Sequence, residues 1–235
     1  MTAAPAIEIV GVTKSYAALR PLRIASLVVA PRERVALSGV DAAGAELLIN
    51  LVTGASLPDE GEVRVFGRRT ADIPDGDEWL SSLDRFGIVS ERGVLLEGST
   101  VIQNLALPLT LEIDPVPDDA LRQVMALGIE CDIPYDWLEQ QAGGIPPAVR
   151  ARVHLARAVA LGPQLLLLEH PTAAIPEGSE RAAFGQVVAR VCGARGLCAL
   201  AITRDTAFAS AAAHRTLTLQ PATGQLVPMR RSWWK

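Results

Sequence analysis

The 235-residue sequence predicts an α/β fold: a parallel-sheet core carrying an antiparallel β layer, with an α-helical subdomain inserted into it. Three observations predict it. Arg34–Ser38 is an apolar strand that runs into a glycine-framed loop and then an apolar helix, which is the βα unit of a parallel sheet. Leu165–Leu168 is an unbroken apolar run, the pattern of a central strand covered on both faces. Between them, residues 92–144 change to helix-compatible segments broken at Pro108, Pro115, Pro117 and Pro134. The expected division of the single domain is a core of residues 1–91 and 145–235 around a helical subdomain of residues 92–144.

The elements follow in order. Ile7–Val12 and Ile24–Ala30 read as short strands of an antiparallel edge layer, joined by a turn region carrying Lys14, Ser15 and Tyr16. After Arg34–Ser38, a helix is expected over Glu46–Val52 and a glycine-closed strand over Gly61–Gly67. Phe86–Glu91 is a further strand. Pro146 and Pro147 open a helix reaching Leu161, with Val149, Val153, Leu155, Ala156 and Val159 on its apolar face. A helix over Ala182–Arg195, a strand over Leu197–Thr203, a helix over Asp205–Ala213 and a hairpin of Thr216–Leu219 with Gln225–Val227 complete the chain.

Composition bounds the function. Hydrophobic residues make up 49% of the chain, enough for a substantial core. A net charge of −4 gives no general attraction to nucleic acid or anionic lipid, so no nucleic-acid partner is expected. Lysine occurs only at Lys14 and Lys235. Cys131, Cys192 and Cys198 are scattered without metal-ligand spacing, which fits a reduced compartment and no metal site. No run approaches 18 apolar residues, so the expectation is a soluble chain, or one held to a membrane only by a partner.

The segment Gly39–Gly54 has the layout of a phosphate loop, GxxxxGK[ST], in which backbone N–H groups and a helix N-terminus face the phosphates. The framing glycines Gly39 and Gly44 keep the spacing. Ala45 stands where the lysine belongs, and Glu46 where the magnesium-binding hydroxyl belongs.

With that loop, Gly61–Gly67, Thr100–Leu105 and the run Ala156–Thr172, the chain resembles the nucleotide-binding subunit of ATP-binding cassette (ABC) transporters over essentially its whole length. The resemblance implies a P-loop NTPase (RecA-like) core. It also locates the family's working positions, and most are altered. Glu91 replaces the Q-loop glutamine, Glu169 the Walker B aspartate, His170 the catalytic glutamate, Pro176 the D-loop aspartate and Arg204 the switch histidine. The LSGGQ signature falls on Ile145, Pro146, Pro147, Ala148 and Val149, while Gly143-Gly144 is a decoy that fits only with one inserted helical turn. Tyr16 alone remains of the direct nucleotide contacts, standing where an aromatic stacks on adenine in the family; an aromatic in a turn is more often simple packing.

The physics of these changes disfavours phosphate. Asp41, Glu46, Glu91 and Glu169 face the single positive Arg204, and one like-charge contact at 4 Å costs about 4 kcal/mol at an effective dielectric of 20. The expectation is a pseudo-ATPase with no required cofactor, binding Mg-ATP weakly if at all. Glu46, paired with Arg204, is expected to occupy the phosphate site as an internal ligand; the plainer reading is an exposed carboxylate at a helix N-terminus. Adjacent strand residues point to opposite faces, so Glu169 and His170 are not expected to share a metal.

The resemblance further implies a catalytically degenerate subunit that serves a membrane transport complex structurally or regulatorily. It would pair with a transmembrane permease and form a homodimer or a heterodimer with another ATP-binding subunit, cytoplasmic and peripheral on the inner face of the membrane. Glu91, Leu95, Leu96 and Asn104 are the expected permease-docking residues, and Asn104–Leu109 suggests a lipid or lipoprotein cargo. The alternatives are a slow atypical ATPase using Arg204 and a soluble scaffold without a membrane partner. Met229–Lys235, aromatic and basic, reads as a docking tail or a frayed end.

Overall fold

The computed structural model describes residues 4–17, 20–90 and 92–229. In chain order these form β1 (Ile7–Lys14), β2 (Leu22–Val29), β3 (Arg34–Ser38), α1 (Ala42–Thr53), β4 (Glu60–Val65), β5 (Arg68–Arg69), α2 (Gly76–Leu83) and β6 (Phe86–Ser90). There follow α3 (Val101–Ala106), α4 (Asp118–Glu130), α5 (Pro147–Val159), β7 (Leu165–Glu169), α6 (Ser179–Arg195), β8 (Cys198–Ile202), α7 (Thr206–Ala212), β9 (Arg215–Gln220) and β10 (Gln225–Pro228).

Two sheets result. The first is antiparallel, in the order β2-β1-β4-β5; the second has the order β10-β9-β3-β8-β7-β6. Within the second, β3, β6, β7, β8 and β9 pair in parallel and only β10 returns antiparallel, as the expected hairpin.

The apolar run of β7 is explained by alternation between two cores. Leu165 and Leu167 join the cluster under the antiparallel sheet and α1, while Leu166 and Leu168 join the cluster under α5 and α6. The same split divides β8, with Leu200 and Ile202 on one side and Ala199 and Ala201 on the other. Both faces are dry, so no polar position is tolerated and the alternation is invisible in the sequence.

Residues 92–144 hold α3, α4, two single 3₁₀ turns and one isolated bridge, between Thr100 and Gln141. Val124, Leu127 and Leu138 from this stretch are buried in the same cluster as Leu166 and Leu168. The segment therefore packs on the core of the sheet rather than around an interior of its own.

Among the differences from expectation are three helices. Helix α1 starts at Ala42, four residues before Glu46, because the end of the loop is already helical and Asp41 caps it. Helix α2 was not expected; its short amphipathic sequence has no fully buried residue, and Asp75 starts it by accepting from the Glu78 N–H. Helix α6 begins at Ser179, earlier than Ala182.

Candidate functional site

In the loop between β3 and α1 a side chain of the loop itself covers one of its free amides. The Asp41 carboxylate accepts from the Gly44 N–H at 2.7 Å and from the Tyr16 hydroxyl at 3.3 Å. It thus satisfies a free amide at the positive end of α1, where a phosphate would otherwise sit. Burial, then the Asp41 charge and hydrogen bond, push the Tyr16 phenol above its ordinary pKa. The retained glycines have packing reasons of their own. Gly39 has φ of +81°, and a Cβ there would lie 2.6 Å from the Leu219 carbonyl oxygen. A Cβ on Gly44 would lie 2.9 Å from Asp41 Oδ1 and 3.0 Å from Val40 Cγ1. Ala45, at the lysine position, is fully buried in the core beneath α1.

The expected pairing of Glu46 with Arg204 is corrected by the structure. Glu46 pairs with Arg92 Nη1, and Arg92 Nη2 lies 2.7 Å from Glu169 Oε2. Ser90 donates its hydroxyl to the same Glu169 oxygen at 2.7 Å and accepts from the Arg92 N–H at 3.2 Å. One guanidinium therefore ties the first turns of α1 to the end of β7 through the two carboxylates at the expected metal-binding positions. Burial depresses the Arg92 pKa, but the hydrogen bonds and charges of Glu169 and Glu46 outweigh it and raise the value. The Glu169 side chain is 9% exposed, so its charge-assisted bond is worth about 1.5–3 kcal/mol; Glu46 is 47% exposed, and its half is worth at most about 1 kcal/mol.

Arg204 is exposed and, among the described residues, forms no ion pair; it lines an open cavity with Tyr16, Gly39 and Asp41. His170 leaves β7 with φ of +44° and donates its N–H to the Ile202 carbonyl at 2.8 Å, so its backbone turns away from the strand. Glu169 is committed to Arg92 and Ser90, and the structure does not bring His170 into that network. Among the described residues no group of three histidines, cysteines or carboxylates could hold a metal ion.

At the signature positions, Ile145, Ala148 and Val149 are buried, Pro146 precedes α5 and the exposed Pro147 is its first residue. No side chain caps this helix. Gly143 and Gly144 lie one step earlier, in a 3₁₀ turn in which the Gly143 N–H donates to the Glu97 carbonyl. Pro176, at the D-loop position, is exposed.

The docking expectation is corrected in part. Leu95 is 2% exposed and Asn104 is fully buried, so neither offers surface. Asn104 instead braces the preceding loop: Oδ1 accepts from the Leu96 N–H at 2.8 Å, and Nδ2 donates to the Leu96 and Thr100 carbonyls at 3.0 Å. Leu96 is exposed, and so is Val94, which was not anticipated. Glu91 and residues 230–235 of the C-terminal tail lie outside the described residues. Sequence reasoning missed Arg92 because its partners are 46 and 77 positions away; its signal was an arginine adjoining the altered Q-loop position.

Residues 22–173 match the family model described as ABC transporter. The chain belongs to that family. The iron-import ATP-binding protein FbpC of Serratia marcescens is 28% identical over 217 residues, 91% of this chain and 60% of its own length. The methionine-import ATP-binding protein MetN of Brucella abortus is 30% identical over 93% of this chain and 58% of its own length. The macrolide export ATP-binding/permease protein MacB of Haemophilus ducreyi is 28% identical over 85% of this chain and 28% of its own. The chain thus spans about 60% of the length of the two importers' proteins. Among solved structures, cbiO1 of Clostridium perfringens superposes with a TM-score of 0.79 at 15% identity, covering 95% of this chain and 87% of its own. A dimeric ATP-binding cassette bound to ADP and phosphate gives 0.75 at 19%, covering 96% and 99%. These structures establish the shared P-loop NTPase fold of the ABC family. No helix among the described residues is long and apolar enough to cross a membrane.

Proposed function

We propose that this ABC-family chain is a non-hydrolysing subunit of a membrane transport complex, acting structurally or regulatorily. The observation that carries the reading is the Arg92 bridge between Glu46 and Glu169. Phosphoryl transfer needs a cation held against the phosphates, and positive charge to offset theirs as it spreads in the transition state. Here the two carboxylates already have an internal cation, Asp41 covers the amide of Gly44, and the lysine position is a buried alanine. These residues do not fit Mg-ATP, so no hydrolytic step is assigned to the loop.

Pairing with a permease and with a second ATP-binding subunit is proposed from the family. Val94 and Leu96 supply the exposed apolar contact, and attachment to the inner face of the membrane follows through that partner. In a head-to-tail dimer with an active cassette, this chain would give one shared site a loop without lysine and the other a signature without serine or glycines. The FbpC, MetN and MacB relatives span import and export of unlike cargoes by their names. The lipid or lipoprotein reading rests on Asn104–Leu109, where Asn104 is an internal brace and Leu105 and Ala106 are core, so packing accounts for those identities.

Calorimetry with millimolar Mg-ATP, together with phosphate release, tests the reading. The expected result is no magnesium-dependent binding and no turnover; micromolar Mg-ATP affinity overturns it. A slow ATPase using Arg204, favoured by that residue's exposure beside the loop, requires phosphate release that Arg204→Ala abolishes. A free scaffold requires purification from its native membrane fraction without any integral membrane protein.

A further inference from the structure

Two tight turns in this protein carry side chains that their backbone disfavours. Residues 30–33 join β2 to β3, with Pro31 second and the Glu33 N–H donating to the Ala30 carbonyl at 3.0 Å. The third residue, Arg32, has φ of +61°, the position of a type II turn that calls for glycine or asparagine. Phe66 and Gly67 form the two-residue link between β4 and β5, with φ of +51° and +83°, a type I′ turn in which asparagine is the favoured first residue. Arginine and phenylalanine are each a costly choice there, because in the left-handed region Cβ crowds the following carbonyl oxygen.

These two residues meet around one cavity of about 320 Å³, with Pro163, Arg195, Gly196 and Cys198. The cavity lies where the parallel strands begin: Arg32 precedes β3, Pro163 precedes β7 and Cys198 opens β8. The β3–α1 loop leaves the opposite end of β3, so the two places are separated by a five-residue strand, about 15 Å. The Arg32 N–H donates to Cys198 Sγ at 3.1 Å, and a Cβ on Gly196 would lie 3.6 Å from Arg32 Nε, so the arginine side chain runs along the C-terminal end of α6. Arg85 lies over the Phe66 ring, 4.0 Å from its centroid, and is itself held by Gln164 Oε1 at 2.9 Å.

The neighbouring charges are already balanced, Arg195 by Glu130 and Glu33 by Arg215. The described lining contains no carboxylate. Arg32 is exposed, and among the described residues its guanidinium makes no ion pair and no hydrogen bond. The cavity therefore presents one uncompensated guanidinium beside an aromatic ring.

We propose that this cavity binds a small aromatic carboxylate, with the carboxylate on the Arg32 guanidinium and the ring against Phe66. A guanidinium fork matches a carboxylate in geometry, one positive group balances one negative charge, and the volume falls in the range of small-molecule sites. Phe66 supplies the ring contact. The two turns then have a reason: strained backbone is retained at ligand-holding positions where a more relaxed residue would fold better. The site lies away from the altered loop, so it goes beyond the non-hydrolysing reading and does not rest on it.

Titration of the ¹⁵N-labelled full chain with sodium benzoate, followed by amide chemical shifts, tests the site. The expected result is saturable shifts centred on Arg32, Phe66, Gly196 and Cys198. Arg32→Gly removes the guanidinium and gives the turn the residue it favours. Benzoate affinity should fall about tenfold or more in that variant, while its urea midpoint stays level or rises. Benzamide, which keeps the ring without the charge, and inorganic phosphate, which keeps charge without the ring, should each bind about tenfold more weakly than benzoate. Arg122→Ala, an exposed arginine on α4, should bind benzoate as the parent chain does. Shifts that are absent or centred on the β3–α1 loop, benzamide or phosphate binding as tightly as benzoate, or an equal loss from Arg122→Ala overturns the site. A lower urea midpoint for Arg32→Gly also overturns it, because the arginine would then serve the fold.

Discussion

Replacing Arg92 by alanine removes the cation that joins Glu46 to Glu169 and leaves two carboxylates facing the same gap. The Glu46 contact is half-exposed and contributes at most about 1 kcal/mol. The Glu169 contact is better shielded, but Ser90 stays on that carboxylate, so its loss is placed near the lower end of the charge-assisted range, about 1.5 kcal/mol. Arg92→Ala is therefore expected to destabilise the fold by about 2 kcal/mol, a fall of about 4–8 °C in Tm for a domain of this size. Urea denaturation measures it, and a double-mutant cycle with Glu46→Gln isolates the bridge, with an expected coupling of about 0.5–1 kcal/mol. Arg204→Ala, which breaks no contact, serves as the control and should change stability by less than about 0.5 kcal/mol. If Arg92→Ala unfolds at the same urea concentration as that control, the bridge is a surface accident. The account of an internally neutralised loop then fails.

Three further outcomes follow from buried groups. Asn104→Ala removes the acceptor of the Leu96 N–H and the donor to two carbonyls, and should cost about 2–4 kcal/mol by chemical denaturation, with faster proteolysis between residues 92 and 100. His154 is held at a pKa of about 4, first by burial and then by Arg157 and Arg150. Because the unfolded chain takes up that proton near pH 6.5 and the folded one only near 4, stability should fall by about 2–3 kcal/mol as pH drops across that window. Denaturation of His154→Gln at pH 7 and pH 4.5 should show a smaller difference by that amount. Cys131 and Cys192 are buried with thiol pKa values raised to about 12, and Cys198 is buried and raised as well. A thiol reagent at pH 8 should label none of the three in the native protein and all three in denaturant.

Local chemistry made the architecture legible. The strand, glycine loop and helix around Gly39 and Gly44, the covered run Leu165–Leu168 and the proline-initiated α5 each carry their signal within a dozen residues. The substitutions at Ala45, Glu46, Glu169, His170 and Arg204 were likewise readable position by position. What those side chains touch was not. Spacing along the motifs makes Arg204 the one positive charge expected near Glu46; the fold puts Arg92 between Glu46 and Glu169 instead. Leu95 and Asn104 were expected on a docking surface, yet a loop whose backbone amides need a partner drew Asn104 inside as its brace.

The sequence by itself determined the family, the order of the core strands and the loss of the loop lysine, because each is written in contiguous residues and in spacing. Only the tertiary structure decided how the altered site is neutralised. That answer depends on pairings across 46 and 77 positions. Coulomb energy depends on separation in space, and chain separation carries almost no information about it until the sheet has placed its loops.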